Sequence, residues 1–229
     1  MKRNYTPEEA KQEHRDKLGP KLGPVFHELW NDLAWLQIKW REYRELFGTT
    51  PDRLDLLNSS AGLFFRIIQD TMWEESLLHL SRLTDRATVA GRKNLTIRLL
   101  PALCDDDKLR ASVATLVEKA IAATEFARDW RNRHVGHRDL DLVLNSGAKA
   151  LAPASRTLVS QAISAIHAVL NEISEQLLNS TLSTEVITPG DGALALLYTL
   201  HDGVETGRAR EERIRSGHFE PNDLKPRKV

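Results

Sequence analysis

The stretch "ARDWRNRHVGHRDL", residues 127 to 140, holds four arginines and two histidines. Histidine titrates near ~6.5 and exchanges protons at working pH. The planar arginine fork holds phosphate oxygens in paired contacts. Together these types suit acid–base chemistry beside a phosphate, with Arg131 and His137 as the leading pair. His134 and His137 also form H-x-x-H, which could share a metal ion with Asp139 or Asp141. A plainer reading exists as well. Basic residues in a last helical turn complement the negative end of the helix dipole, and Gly136 is a fitting C-terminal cap.

Spacing does not choose between these readings. Arginine followed four to six residues later by histidine recurs at Arg128–His134 and Arg213–His218. Geometry adds a constraint. At ~100° per residue, the six-residue step from Arg131 to His137 leaves them about 120° apart on a straight helix. Either the helix unwinds at Gly136, or a symmetric partner supplies the missing half.

The elements that must position this stretch are helical. Residues 1–24 read as a polar N-terminal helix and a hinge, "KLGPKLGP" (Lys17 to Pro24), whose glycines and prolines break structure. Val25, Leu29, Leu33, Leu36, Trp40, Tyr43 and Phe47 then recur at steps of three and four, ended by Gly48 and Pro51. A second stripe runs through Leu54, Leu57, Ala61, Phe64, Ile68, Met72 and Leu80 to about Thr84, where "ATVAGRKN" interrupts it. "DDD" (Asp105 to Asp107) suits a helix cap better than a metal cluster. It opens a third stripe of Leu109, Val113, Leu116, Ala120, Ala123, Ala127 and Trp130. A loop with Asn145, Gly147 and Pro153 leads to a fourth, Leu158, Ala162, Ala165, Val169, Ile173 and Leu177. After "TPGDG" (Thr188 to Gly192) a fifth, Ala193, Leu197, Leu200 and Val204, fades into a tail with Arg208, Arg210, Arg213 and Arg215. No convincing strand emerges, "STEVIT" (Ser183 to Thr188) being the best candidate. The expected fold is all-α: an antiparallel four-helix bundle over residues 25–180, with extra N- and C-terminal helices and a basic tail over 181–229. The five tryptophans read as core or interface anchors.

Composition narrows the function classes. The 229 residues carry 32 basic and 32 acidic side chains, so net charge offers no general case for nucleic-acid or membrane binding. The single cysteine, Cys104, excludes an internal disulfide and a cysteine metal cluster, and reads as a small buried residue. The polar N-terminus argues against a signal peptide, and no apolar run approaches a membrane span. A cytoplasmic protein is the expectation. Phosphate-cradling glycine loops, H-E-x-x-H, nucleophile elbows and dinucleotide fingerprints are absent.

"WRNRHVGHRDL" (Trp130 to Leu140) resembles the R-N-x-x-x-x-H signature of HEPN domains, in the form found in the abortive-infection AbiU-type branch. "LWNDLAWLQIKWREYRELFG" (Leu29 to Gly48) is similar to that family's first helix. "DLLNSSAGLFFRIIQDTMWEESLLHLSRLTD" (Asp55 to Asp85) is similar to its second, with a closing serine-arginine-leucine-x-aspartate pattern. "RKNLTIRLL" (Arg92 to Leu100) is similar to its next connector. The resemblance covers about residues 25 to 180. One departure is Gly136, where family members often have alanine.

The resemblance implies a helical bundle that cleaves RNA without metal or other cofactor. It also implies a homodimer whose two motifs face one another, acting as a toxin or phage-defence effector with a possible antitoxin partner. Carried over, Arg131 would stabilise charge, His137 would act as acid/base and Asn132 would orient a ring or phosphate. Arg128, Arg133, His134 and Arg138 would steer RNA phosphates. The overlapping Arg128–His134 register keeps His134 open as the acid/base. Two alternatives stand beside this: a non-catalytic helical module binding RNA, a nucleotide or a partner protein, and a metal hydrolase built on His134, His137 and an aspartate.

Overall fold

A computed structural model describes residues 6–182 and 191–226. The order of elements is α1 (Pro7–Phe47), α2 (Pro51–Leu83), β1 (Thr88–Val89), β2 (Arg92–Lys93), a 3-10 turn (Ile97–Leu99) and α3 (Leu100–Leu103). Then follow α4 (Asp107–Ala123), α5 (Glu125–Trp130), a π-helical turn (Arg131–Val135), α6 (Leu140–Val143), α7 (Arg156–Ile173), a second π turn (Ser174–Leu178) and α8 (Ala193–Arg215). The fold is all-α, as the periodicities require. "STEVIT" lies outside the described residues.

The chain divides into two units. The first comprises Met1–Trp40 and Met72–Val186, the second Arg41–Thr71 and Ile187–Val229.

In the first unit, α1 kinks at Gly19 (φ 82, ψ 167), and residues 7–18 fold back along the helix that follows. Lys11 Nζ meets Glu28 at 2.8 Å and His14 meets His27 at 3.1 Å. The crossing is so close that a Cβ on Gly23 would lie 2.4 Å from the His14 carbonyl oxygen. Beyond this hairpin the long helices run antiparallel. Lys39 pairs with Glu75 while Asp32 meets His79, so α1 and α2 point oppositely. Trp40 Nε1 donates to Ser160 Oγ at 3.0 Å, while Trp30 meets His167 edge-on. α7 therefore also opposes α1. Ser112, early in α4, donates to Glu172, late in α7, which opposes those two.

The core is built from the spacing of three and four. Phe26, Leu29, Leu33 and Leu36 of α1 face Leu77, Leu80 and Leu83 of α2, Val113 and Ala120 of α4, and Val159, Ile166, Val169 and Ile173 of α7; all are fully buried. Each such large side chain contributes about 1.5–3 kcal/mol. Cys104 belongs to this core, its Sγ donating to the Leu100 carbonyl and its thiol pushed up by burial. Asp106 caps α4 by accepting from the Leu109 amide at 2.8 Å, the role expected of "DDD".

Several details depart from the sequence expectation. "ATVAGRKN" forms a two-stranded hairpin, Thr88 opposite Lys93 and Val89 opposite Arg92. Its turn, Ala90–Gly91, takes positive φ at both positions, the geometry that matches strand twist. Val117 rather than Leu116 carries the α4 stripe, four residues after Val113 and three before Ala120 on the same face. Among the five tryptophans only Trp35 is exposed, at 62%.

In the second unit, a kink at Ala61 turns α2 so that Phe65 is buried and Phe64 is 56% exposed, reversing the expected stripe. Leu57 and Phe65 join Tyr43, Leu46, Phe47, Ala193 and Leu197 as its buried apolar residues. Glu42 Oε2 accepts from the Ala193 amide, satisfying an otherwise orphaned donor at the start of α8. The arginines read as a tail instead lie on α8. Arg208 pairs with Glu205 and Arg215 with Glu212. Arg210 and Arg213 both hold Asp223 in the segment that follows.

Candidate functional site

The candidate residues sit where α5 passes into its π turn, in the first unit. Thr124 interrupts the helix, so α5 restarts with its own phase and Phe126 and Ala127 turn inward. That leaves Arg128 and Arg131, three residues apart and on one face, directed at the end of α2.

The end of α2 is a strongly negative platform. A helix C-terminus leaves carbonyls without intrahelical donors, and its dipole attracts cations. Thr96 Oγ1 donates to the carbonyls of Leu83 at 3.0 Å and Asp85 at 2.9 Å. Arg98 Nε and Arg128 Nη2 both donate to the Thr84 carbonyl at 2.9 Å. Within this frame the Asp85 carboxylate takes one arginine on each oxygen: Arg128 Nη1 on Oδ1 at 2.6 Å and Arg131 Nη1 on Oδ2 at 2.5 Å. The Thr84 hydroxyl, fully buried, donates to the Leu80 carbonyl, accepts from Arg128 and touches the Thr124 hydroxyl.

Arg131 is gripped from its other side by its neighbour. Asn132 Oδ1 accepts from Arg131 Nε at 3.0 Å and Nη2 at 2.9 Å. Three of the guanidinium's five N–H groups are thereby used, and two remain to face a phosphate. Asn132 thus aligns the arginine itself.

From Arg131 to Val135 the backbone follows π rather than α geometry, closed by the Gly136 amide on the Arg131 carbonyl at 2.7 Å. The helix ends there, and His137 and Arg138 follow in non-helical backbone. With a widened turn and a helix end between them, the 120° separation of a straight helix does not apply to Arg131 and His137. Gly136 caps the segment with right-handed backbone, and a Cβ there would come within 2.9 Å of the Arg131 oxygen. Its use is close approach, not positive φ.

The remaining candidates separate into engaged and free side chains. Arg133 ties down the surrounding loops, reaching the carbonyls of Lys149 and Ala150 and the carboxylates of Asp129 and Asp139. Asp139 in turn caps α6 by accepting from the Leu142 amide at 3.1 Å. That bond, with Arg133 beside it, holds its carboxyl below the usual range. His134 stacks edge-on against Trp130 and lies 3.5 Å from Glu74. His137 and Arg138 are exposed and make no hydrogen bond or ion pair among the described residues. No three histidine, cysteine or carboxylate side chains converge to hold a metal ion among those residues, at His134 and His137 or elsewhere.

Sequence reasoning did not single out Asp85, Thr84 and Arg98. The only sign of Asp85 was its place at the end of the serine-arginine-leucine-x-aspartate pattern, which carried no role.

A model of the family HEPN_AbiU2, described as AbiU2, matches residues 19–195. The chain belongs to this family. In HEPN_AbiU2 terms the match takes in the whole arginine–histidine stretch, the platform at the end of α2 and the four antiparallel helices of the first unit. It also extends past both limits of the sequence resemblance. No curated protein and no solved structure matches the chain. Among the described residues of this HEPN_AbiU2 protein, no helix is long and apolar enough to cross a membrane.

Proposed function

We propose that this HEPN_AbiU2 protein is a metal-independent endoribonuclease. The observation that carries the reading is Arg131, held on both sides by Asp85 and Asn132 with N–H groups to spare, six residues before an exposed histidine that has no hydrogen-bond or ion-pair partner among the described residues. In the proposed reaction a 2′-hydroxyl loses its proton to a histidine and attacks the adjacent phosphorus. Arg131 stabilises the added charge on the non-bridging oxygens, and the 5′-oxygen leaves with a proton. The products are a 2′,3′-cyclic phosphate and a 5′-hydroxyl. His137 is the acid/base, and Asn132 acts through Arg131. One histidine cannot be acid and base at once, so a homodimer that brings two motifs together divides the tasks.

Arg138 is free to meet RNA phosphates, while Arg128 and Arg133 contribute positive potential, and His134 a polar ring edge, from positions engaged with the protein. An abortive-infection effector acting in the cytoplasm, restrained by an antitoxin, is the biological setting this reading supports.

The test is RNA cleavage by the pure protein in chelator. Arg131→Ala and His137→Ala are each expected to lower the rate by about 10²–10⁴-fold. Unchanged activity in both variants would overturn the reading.

A second reading, a non-catalytic module for RNA, a nucleotide or a partner protein, is favoured by one fact. Arg128 and Arg133 are largely engaged with protein groups. Tight RNA binding without cleavage would establish it.

A further inference from the structure

We infer that Asp85 is the positioning residue of this site: it holds the Arg131 guanidinium at the angle from which it meets a phosphate. The inference rests on the ribonuclease reading for its catalytic consequence, but not for its geometry.

An arginine side chain carries about 2 kcal/mol of rotamer entropy, so an unrestrained Arg131 at an exposed turn would sample many orientations. Asn132, itself exposed, cannot fix it alone, because the two are adjacent and move together on the same π turn. Asp85 is different. It comes from another element, and its own backbone is tied down by hydrogen bonds. Thr96 bonds its carbonyl, and Arg98 and Arg128 bond the carbonyl of the residue before it. Its carboxylate is only 20% exposed and is bounded on Oδ1 by Arg128. Oδ2 therefore has a fixed place, and the Arg131 Nη1 it receives is fixed with it. Arg128 completes the device. It steadies Asp85 and supplies a second positive charge, so the cluster of two arginines and one aspartate keeps a net positive charge for the phosphate.

This arrangement has a signature that a merely structural carboxylate lacks. Asp85 works against phosphate binding, being a negative charge beside the contact, while working for catalysis by orientation. Removing its charge should separate the two effects.

Asp85→Asn keeps size and shape, and Asp85→Glu keeps the charge on a longer arm. Three measurements on the full chain decide the matter. The first is cleavage of RNA, as kcat and KM. The second is affinity for an all-deoxy oligonucleotide of the same sequence, which has no 2′-hydroxyl to react. The third is the guanidinium Nη–H resonance of Arg131, the group that Asp85 receives. In Asp85→Asn we expect kcat to fall about 10–100-fold, deoxy-oligonucleotide affinity to hold or rise, and the Arg131 signal to lose its protection from exchange. Asp85→Glu should recover part of kcat and of that protection.

Wild-type kcat in Asp85→Asn, or an Arg131 signal as protected as in the wild type, overturns the inference. So does a parallel loss of cleavage and affinity in both variants, which would make Asp85 a simple structural anchor. If the wild-type protein cleaves no RNA, the ribonuclease reading fails by itself. The Arg131 signal and the oligonucleotide affinity still decide what Asp85 does.

Discussion

The amide of Gly136 donates to the carbonyl of Arg131 at 2.7 Å, five residues back along the chain. That single bond closes a π turn over the segment that carries Asn132, Arg133 and His134, and releases His137 from helical backbone. π turns inside α-helices are rare and gather at functional sites, where an extra residue in the turn redirects side chains.

The closure leaves no room for a methyl group on Gly136, since a Cβ would sit 2.9 Å from the Arg131 oxygen. Gly136→Ala must open the turn. We expect a loss of about 1 kcal/mol, read as a Tm lowered by about 2–4 °C. Cleavage should fall about tenfold, short of the ~10²-fold that an ångström of misplacement can cost. A variant with the wild-type melting curve and full activity would show that the π turn has no role.

Thr84 offers a test of the platform under the arginines. Its hydroxyl is buried and bonded to the Leu80 carbonyl, Arg128 and the Thr124 hydroxyl. Thr84→Ala removes these together, while Thr124 keeps its bond to the Ala120 carbonyl. A loss of about 1–2 kcal/mol in urea unfolding is expected. An unaltered midpoint would mean that the hydroxyl pair adds nothing to stability.

The N-terminal hairpin should respond to mild acid. Asn31 Nδ2 lies 3.0 Å from His27 Nε2, and His27 Nδ1 lies 3.1 Å from His14 Nδ1. If the amide donates, His27 carries its proton on Nδ1 and His14 accepts it, an arrangement only a neutral His14 can complete. Burial, chiefly, and then His27 push His14 below its ordinary 6.5, with Lys17 adding to them and Glu13 opposing. The unfolded segment therefore takes up a proton first. The contribution is full above about pH 6.5 and is lost as pH falls toward the lower, folded value. Protection of the residue 7–18 amides, taken relative to the intrinsic exchange rate at each pH, should fall between pH 7.5 and 5.5, and His14→Gln should remove that dependence. Equal protection at both values would contradict the linkage.

The segment after α8 should respond in the same sense but only at much lower pH. Arg213, first, and the Glu220 amide bring the Asp223 carboxyl from an ordinary 3.8 to about 2. A depressed carboxylate stabilises the fold above its unfolded value and loses that contribution only as pH falls through about 2. At pH 5 the clasp with Arg210 and Arg213 should be intact while the N-terminal hairpin is weakened. Limited proteolysis reads both ends at once. Asp223→Asn should expose residues 216–226 to protease at neutral pH, and a tail still protected in that variant would assign the clasp to other contacts.

How much of this was legible from residue order varies with the range of the forces involved. Gly48 and Pro51 bound the first two helices because they act on their own backbone and that of their neighbours. Asp106 caps α4 for the same local reason, and the stripe from Leu29 to Trp40 faces inward because helical spacing alone aligns it. The all-α fold followed from such patterns. Where a kink intervened, as at Ala61, the pattern shifted by one residue, and Phe65 took the buried place expected for Phe64. The arginines of α8 looked like a free tail because Asp223, which holds two of them, lies ten or more residues on.

The site divides in the same way. The sequence by itself determined that Arg131, Asn132 and His137 occur together, that Asn132 adjoins the arginine and that Gly136 precedes the histidine. It could not determine that Asp85, 46 residues earlier, lies against Arg131, nor that Arg128 and Arg133 face protein rather than solvent. Those facts depend on where the end of α2 meets the start of α5, and that meeting is set by burial of leucines and valines throughout the bundle. Helix propensity and capping act over one turn of chain. The partner of a charge is chosen by which surfaces the core brings together, and only the tertiary structure decided that.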